Sequence, residues 1–142
     1  MKVVHKMKFN QIKETCLYVE DLHATQAFYH GKLGLELIVF LEGNHVFFRA
    51  GSSVLLCFIA EASKRKTHLP PHHGEGNIHF ALEVDAADYD SSKREVIAAG
   101  IDIEQEVEWS IGMHSFYFRD PDNHLVEIVQ TGFWEKLVVK PS

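Results

Sequence analysis

The stretch Glu14-Thr-Cys-Leu-Tyr-Val-Glu-Asp21 returns later in the chain as His79-Phe-Ala-Leu-Glu-Val-Asp-Ala86. An offset of 65 lays Leu17 on Leu82 and Val19 on Val84. Leu33-Gly-Leu-Glu-Leu37 likewise meets Ala99-Gly-Ile-Asp-Ile103 at an offset of 66. A chain that repeats itself this way is built from two copies of one supersecondary unit. Short apolar runs also resemble one another by chance, so the repeat has to agree with the elements around it.

It does. Ile12 to Val19 reads as a strand, and Asp21 is placed to cap a helix carrying Ala24, Ala27 and Phe28 at helical spacing. Gly34 stands where a helix end needs a left-handed residue. Strand-like runs follow at Leu35–Leu41, His45–Ala50 and Ser53–Ile59, with turns at Glu42-Gly43-Asn44 and Gly51-Ser52. The second copy has a strand at Asn77–Val84 and a helix over Ala86–Ala99, with Asp85 as its expected cap and Gly100 as its stop. Strands at Ile103–Trp109, Met113–Arg119 and Leu125–Gln130 complete it, with a turn at Asp120-Pro-Asp-Asn123. The expected fold is α+β: two βαβββ modules, 12–59 and 77–130, forming a curved mixed sheet around a central cleft. The linker is 60–76, which holds Pro70-Pro71 and Gly74-Glu-Gly76. Neither module hides its sheet alone, so the two should pack as one domain over 1–142.

Bulk properties agree with one compact domain. The chain has 142 residues, 46% hydrophobic and 24% charged, enough for a core and unlike a disordered segment. The net charge of −6 argues against nucleic acid as a partner. Cys16 and Cys57 read as buried free thiols rather than a disulfide. No apolar run reaches membrane-spanning length, and the first nine residues lack a signal core. The expectation is a soluble, cytoplasmic protein.

Alternation along the strands selects the chemistry. Leu17 and Val19 share a face that packs under the first helix, leaving Glu14, Cys16 and Tyr18 on the other. Leu82 and Val84 go under the second helix, leaving His79, Ala81 and Glu83. In the last strand Val126 and Ile128 suit the helix side, leaving Leu125, Glu127 and Val129. Glu14, His79 and Glu127 can therefore all face away from the helices. Carboxylate oxygen and imidazole nitrogen suit Zn²⁺, Mn²⁺, Fe²⁺, Co²⁺ or Ni²⁺, and a cation would relieve two converging carboxylates. A Glu and a His on neighbouring strands are also common as plain surface or pocket groups.

The motifs sharpen this reading. Asp21-Leu22 followed by Phe28-Tyr29 and Leu33-Gly-Leu35 resembles the opening of vicinal-oxygen-chelate proteins. That group holds glyoxalases and the bleomycin-resistance, fosfomycin-resistance and extradiol-dioxygenase relatives. Gly76-Asn-Ile-His79-Phe-Ala resembles their second-module opening. Ser115-Phe-Tyr117-Phe-Arg-Asp120-Pro-Asp-Asn-His-Leu-Val-Glu127 resembles their closing signature. The resemblance spans Ile12 to Gln130 and implies a glyoxalase-like fold with one divalent metal on Glu14, His79 and Glu127. The family usually has His or Gln at the first of these positions. The place that glyoxalase I fills with Glu falls at Leu56 or Cys57, which leaves the three-ligand pattern of the fosfomycin-modifying and extradiol branches.

The resemblance also implies catalytic roles for Tyr117, as hydrogen-bond donor or acid, and for Glu127. Arg119 would meet an anionic group or pair with Asp120 or Asp122. Leu56, Phe58 and Trp109, with Val54, would shape a pocket for a small-molecule ligand. Two functions follow as expectations. One is a metal-dependent enzyme of lyase, transferase or dioxygenase type acting on an oxygen-chelating substrate. The other is a metal-free sequestering protein of the bleomycin-resistance type. A homodimer is implied, either with each site in one chain or with Glu14 from one subunit and His79 and Glu127 from the other.

Overall fold

The computed structural model describes residues 7–110 and 112–136. In chain order the first module holds β1 (Glu14–Tyr18), α1 (Leu22–Gln26), β2 (Glu36–Leu41), β3 (His45–Ala50) and β4 (Ser53–Phe58). The second holds β5 (His79–Val84), α3 (Tyr89–Ala98), β6 (Gln105–Glu108), β7 (His114–Arg119) and β8 (Leu125–Gln130). A short helix, α2 (Ala60–Lys64), starts the linker, and α4 (Phe133–Lys136) follows β8. Each module is a four-stranded mixed sheet with matching order, β1-β4-β3-β2 and β5-β8-β7-β6. The parallel pairs are β1–β4 and β5–β8, and the remaining pairs are antiparallel. The fold is thus the expected α+β glyoxalase-like one, drawn as two separate sheets that do not close within the chain.

Local chemistry explains most boundaries. The Asp21 carboxylate accepts from the backbone N–H of His23 and Ala24, so it caps α1 as its position required. The helix then widens into a π-helical stretch over Ala27–Lys32. That widening puts Phe28 and Tyr29 side by side on the buried face. Gly34 and Gly100 both take positive φ, +79° and +82°, as helix ends ask of glycine.

Two expectations need correction. Asp85 makes no capping bond, and the second helix begins as a 3-10 turn over Ala86–Asp88, where the N–H of Ala86 is taken by the Thr131 hydroxyl. Cys16 is exposed, because it shares the outward face with Glu14, while Cys57 is fully buried.

The modules join through their helix-side faces. Leu17, Val46, Phe48 and Cys57 of the first share one core with Val96, Phe116, Phe118 and Val126 of the second. Fully burying a Phe or Leu of this kind contributes about 1.5–3 kcal/mol. Phe28 meets Phe118, with ring centroids 6.1 Å apart. Tyr29 donates its hydroxyl to Asp120 at 2.7 Å. The Asp120–His124 turn adds further ties across the same seam. His124, 2% exposed, bonds the Tyr18 carbonyl through Nε2 at 2.8 Å and accepts from the Ile78 N–H at Nδ1. Asp122 accepts from the Glu20 N–H. Because the helix sides are used up internally, the opposite face of each sheet points outward.

Candidate metal and substrate site

β8 carries the centre of the site. Its flanking partners are β5 and β7, and the register puts Ala81, Glu127 and Tyr117 in one row across the three strands. Glu127 is largely buried, its side chain 11% exposed, whereas His79 remains about half exposed. His79 Nε2 lies 3.1 Å from Glu127 Oε1. On the far side of the ring, Nδ1 lies 3.0 Å from the Leu125 carbonyl and donates to it. The carbonyl can only accept, so Nδ1 donates there and the ring is held with Nε2 facing the carboxylate, the orientation an imidazole ligand takes.

Tyr117 closes the group, with its ring centroid 6.1 Å from that of His79. Burial pushes its phenol above the usual value, the Ser115 hydroxyl pulls the other way, and the Glu127 charge adds to the rise. The phenol therefore stays protonated at neutral pH. Trp109, expected only as a pocket wall, and Ser115, which had no expected role, hold it. The Trp109 indole N–H donates to Ser115 Oγ at 3.1 Å, and Ser115 Oγ in turn reaches Tyr117 Oη at 3.4 Å. An indole nitrogen can only donate, so the serine proton is directed toward Tyr117. Ser115 stands two residues before Tyr117 on the same face, and that spacing was the available signal.

Arg119 shares this face but is engaged elsewhere. Its Nε and Nη2 donate to Glu104 Oε1 and Oε2 at 2.9 and 3.2 Å, and Nη1 reaches the Asn123 carbonyl. Its carboxylate partner is Glu104 rather than Asp120 or Asp122. A groove of about 730 Å³ between the modules is lined by helix-side residues such as Leu33, Leu55, Phe80, Leu82 and Val96. His79 and Glu127 are absent from its lining, so it is separate from this site.

Glu14 lies on the other sheet. It pairs in register with Val54 and is exposed on the outward face of β1. That face carries two aromatic and apolar rows, Cys16-Leu56-Phe47-Val39 and Tyr18-Phe58-His45-Leu41. Leu56 and Phe47 are partly open. Phe58 is only 4% exposed, because the linker folds over it. The His72 ring stands edge-on to Phe58, with centroids 4.7 Å apart, and its Nδ1 lies 2.6 Å from Tyr18 Oη. Ser63 ties the base of this loop to the His72 carbonyl and N–H.

Among the described residues, no three His, Cys, Asp or Glu side chains group closely enough to hold a metal. Within one chain the structure brings His79 and Glu127 together and leaves Glu14 apart. The pair fits a divalent ion in kind, with one imidazole nitrogen oriented by the Leu125 contact and one sheltered carboxylate. In number it is short by at least one protein donor.

No curated protein matches the chain. A solved lactoylglutathione lyase from Agrobacterium tumefaciens is 36% identical, covers 90% of this chain and 98% of its own, and superposes with a TM-score of 0.85. A virulence protein from Salmonella typhimurium is 26% identical, with 87% and 98% covered and a TM-score of 0.68. The fosfomycin resistance protein FosX from Listeria monocytogenes, solved as a mutant with Mn(II) and 1S,2S-dihydroxypropylphosphonic acid, shares the fold. It is 23% identical, with 92% and 97% covered and a TM-score of 0.67. The family described as the glyoxalase/bleomycin resistance protein/dioxygenase superfamily matches residues 10–128. With nearly the whole chain inside that match, and a relative above one-third identity along its length, the protein belongs to this superfamily.

Proposed function

We propose that the protein is a divalent-metal-dependent enzyme acting on a small substrate that presents two oxygens. The metal would sit on His79 and Glu127 of one copy and on Glu14 of a second. The observation that carries this is the His79–Glu127 pair itself, 3.1 Å apart on an outward face with Nδ1 already committed to Leu125. The outward direction of both sheets supports completion by another copy, since the faces bearing Glu14 and Glu127 are the two that the chain's own core does not use. The FosX complex supports it as well, since that relative was solved with both Mn(II) and a vicinal diol.

A bound divalent ion supplies Lewis acidity, drawing negative charge onto substrate oxygen. The chain's own groups do the rest. Tyr117 offers a protonated phenol to that oxygen, held in place by Ser115 and Trp109. Glu127 and His79 orient the substrate end against β8, and Leu56 and Phe47 form an apolar wall that excludes water.

Metal analysis of protein purified without chelator tests the reading. One metal per chain, lost in His79→Ala and in Glu127→Ala, supports it. Protein that carries no metal and also refuses Ni²⁺, Mn²⁺ and Zn²⁺ in titration overturns it and leaves a metal-free sequestering protein. Mixing Glu14→Ala chains with His79→Ala chains tests the sharing. Each mixed dimer regains one intact site if the ligands come from two copies, and none if they come from one.

A further inference from the structure

Lys66 is placed where no ion pair explains it. It leaves the linker and sets its ammonium over the Phe58 ring, 4.7 Å from the centroid. Phe58 belongs to the outward row Tyr18-Phe58-His45, so Lys66 overhangs the face that bears Glu14. His45, in the same row, senses it there. Burial first, and Lys66 second, hold the His45 imidazole below its usual value. Among the described residues Lys66 has neither a carboxylate partner nor a hydrogen bond. Arg49, the cation of the adjacent row, is already paired with Glu36.

The geometry points to a second anchor for the substrate: Lys66 binds a terminal carboxylate, across an apolar spacer lying on Leu56 and Phe47, while the other end of the same molecule chelates the metal. This rests on the metal reading above and names the substrate class for it, an oxygen-chelating head joined to a carboxylate tail. Four residue steps along the strand lead from Glu14 to Tyr18, or roughly 13 Å at the rise of an extended strand, which sets the scale of the spacer. The surface between the ends is the Cys16-Leu56-Phe47 row, which offers hydrocarbon contact and a single thiol. A carboxylate fits better than a phosphate. One ammonium is a point charge with no guanidinium fork beside it, and phosphate sites gather several donors. A cation held against an aromatic ring loses none of its charge and is pre-placed for an incoming anion.

Three probes test this by calorimetric titration of Mn²⁺- or Ni²⁺-loaded protein. Acetohydroxamic acid supplies the chelating head alone. Suberic acid monohydroxamate adds a six-methylene spacer and a carboxylate, and its methyl ester is the neutral control. The expected result is that the acid binds about fivefold more tightly than the ester, the scale of a partly exposed ion pair. In Lys66→Met the two should bind alike, while acetohydroxamate affinity stays at the wild-type value. Raised salt should shrink the acid's advantage. Equal affinity of acid and ester in the wild type, with acetohydroxamate still binding, overturns the inference and leaves the metal reading standing. An acid preference that survives Lys66→Met overturns the role of Lys66. Failure of all three probes to bind overturns both readings together.

Discussion

Replacing Tyr29 with Phe removes one oxygen from the seam between the modules and little else. The ring packs against Phe28, Phe48 and Phe80, contacts that a phenylalanine keeps. The hydroxyl is fully buried and donates to Asp120 at 2.7 Å, and Asp120 is itself 6% exposed. Its other carboxylate oxygen accepts from the N–H of Asp122 and His124, so the turn keeps its internal bonds when Tyr29 goes. What is lost is one buried bond to a charged acceptor, worth about 2 kcal/mol, with one lone-pair site of Asp120 left unsatisfied. For a protein of this size that is about 4–8 °C in Tm. Urea unfolding at fixed protein concentration measures it, as a lower midpoint with an unchanged slope. The analogous bond inside the second module, Tyr89 to Glu106, shares its acceptor with Lys93 at a side chain about one-third exposed. Tyr89→Phe should therefore cost less, about 1 kcal/mol or below. A Tyr29→Phe loss under about 0.5 kcal/mol, or the reverse order of the two variants, would refute the claim that this bond holds the modules together.

Other contacts of the fold are open to measurement in the same way. Ser115→Ala strands the Trp109 indole N–H, and a loss of about 1–2 kcal/mol with a shift in Trp109 fluorescence is expected; no spectral change would place the indole elsewhere. The bond from Lys93, joined by that from Tyr89, holds the Glu106 carboxyl below its ordinary 4.5, so its contribution is present above that pH and fades as pH falls through the lowered value. Glu106→Gln should then destabilise the protein at pH 7 and much less at pH 3, read as a shrinking gap between the two urea midpoints. Gly74→Ala puts a Cβ 3.0 Å from the Tyr18 ring, so the ring must yield; a change in the environment of Tyr18 and His72 by NMR, at a cost of about 1–3 kcal/mol, is the expected sign.

The repeat made the order of elements legible because each copy solves the same problem, hiding one sheet face under one helix. Strand alternation pointed Glu14, His79 and Glu127 away from the helices and the closing signature added Tyr117; in the structure Tyr117 pairs in register with Glu127, and His79 stands beside it. What escaped the sequence was chemistry between distant segments. The linker read as a plain loop, since nothing local announces that His72 will settle on Tyr18 and Phe58. Arg119 had acidic neighbours at 120 and 122, but strand pairing delivered Glu104 instead. The widened turn at Ala27–Lys32 hides behind an ordinary helical spacing. Glu14 carries the same kind of ambiguity, because alternation gives the direction of a side chain and not the sheet or copy it will meet.

The two-residue pleat also divides the chain by odd and even numbers. In β5, β7 and β8 the even positions Phe80, Leu82, Phe116, Phe118, Val126 and Ile128 belong to the core, and the odd positions His79, Tyr117 and Glu127 belong to the site. In β1 and β4 the rule inverts, with Leu17, Leu55 and Cys57 inside and Glu14, Cys16 and Leu56 outside. Folding and chemistry thus draw on separate subsets of letters in the same strands. A randomised library confined to Cys16, Tyr18, Phe47, Val54 and Leu56 would explore new ligands while leaving the core composition untouched. Randomising the three core positions Leu17, Phe48 and Leu55 would instead mostly yield chains that do not fold. A new substrate can therefore be acquired in this architecture by editing every second residue of a strand.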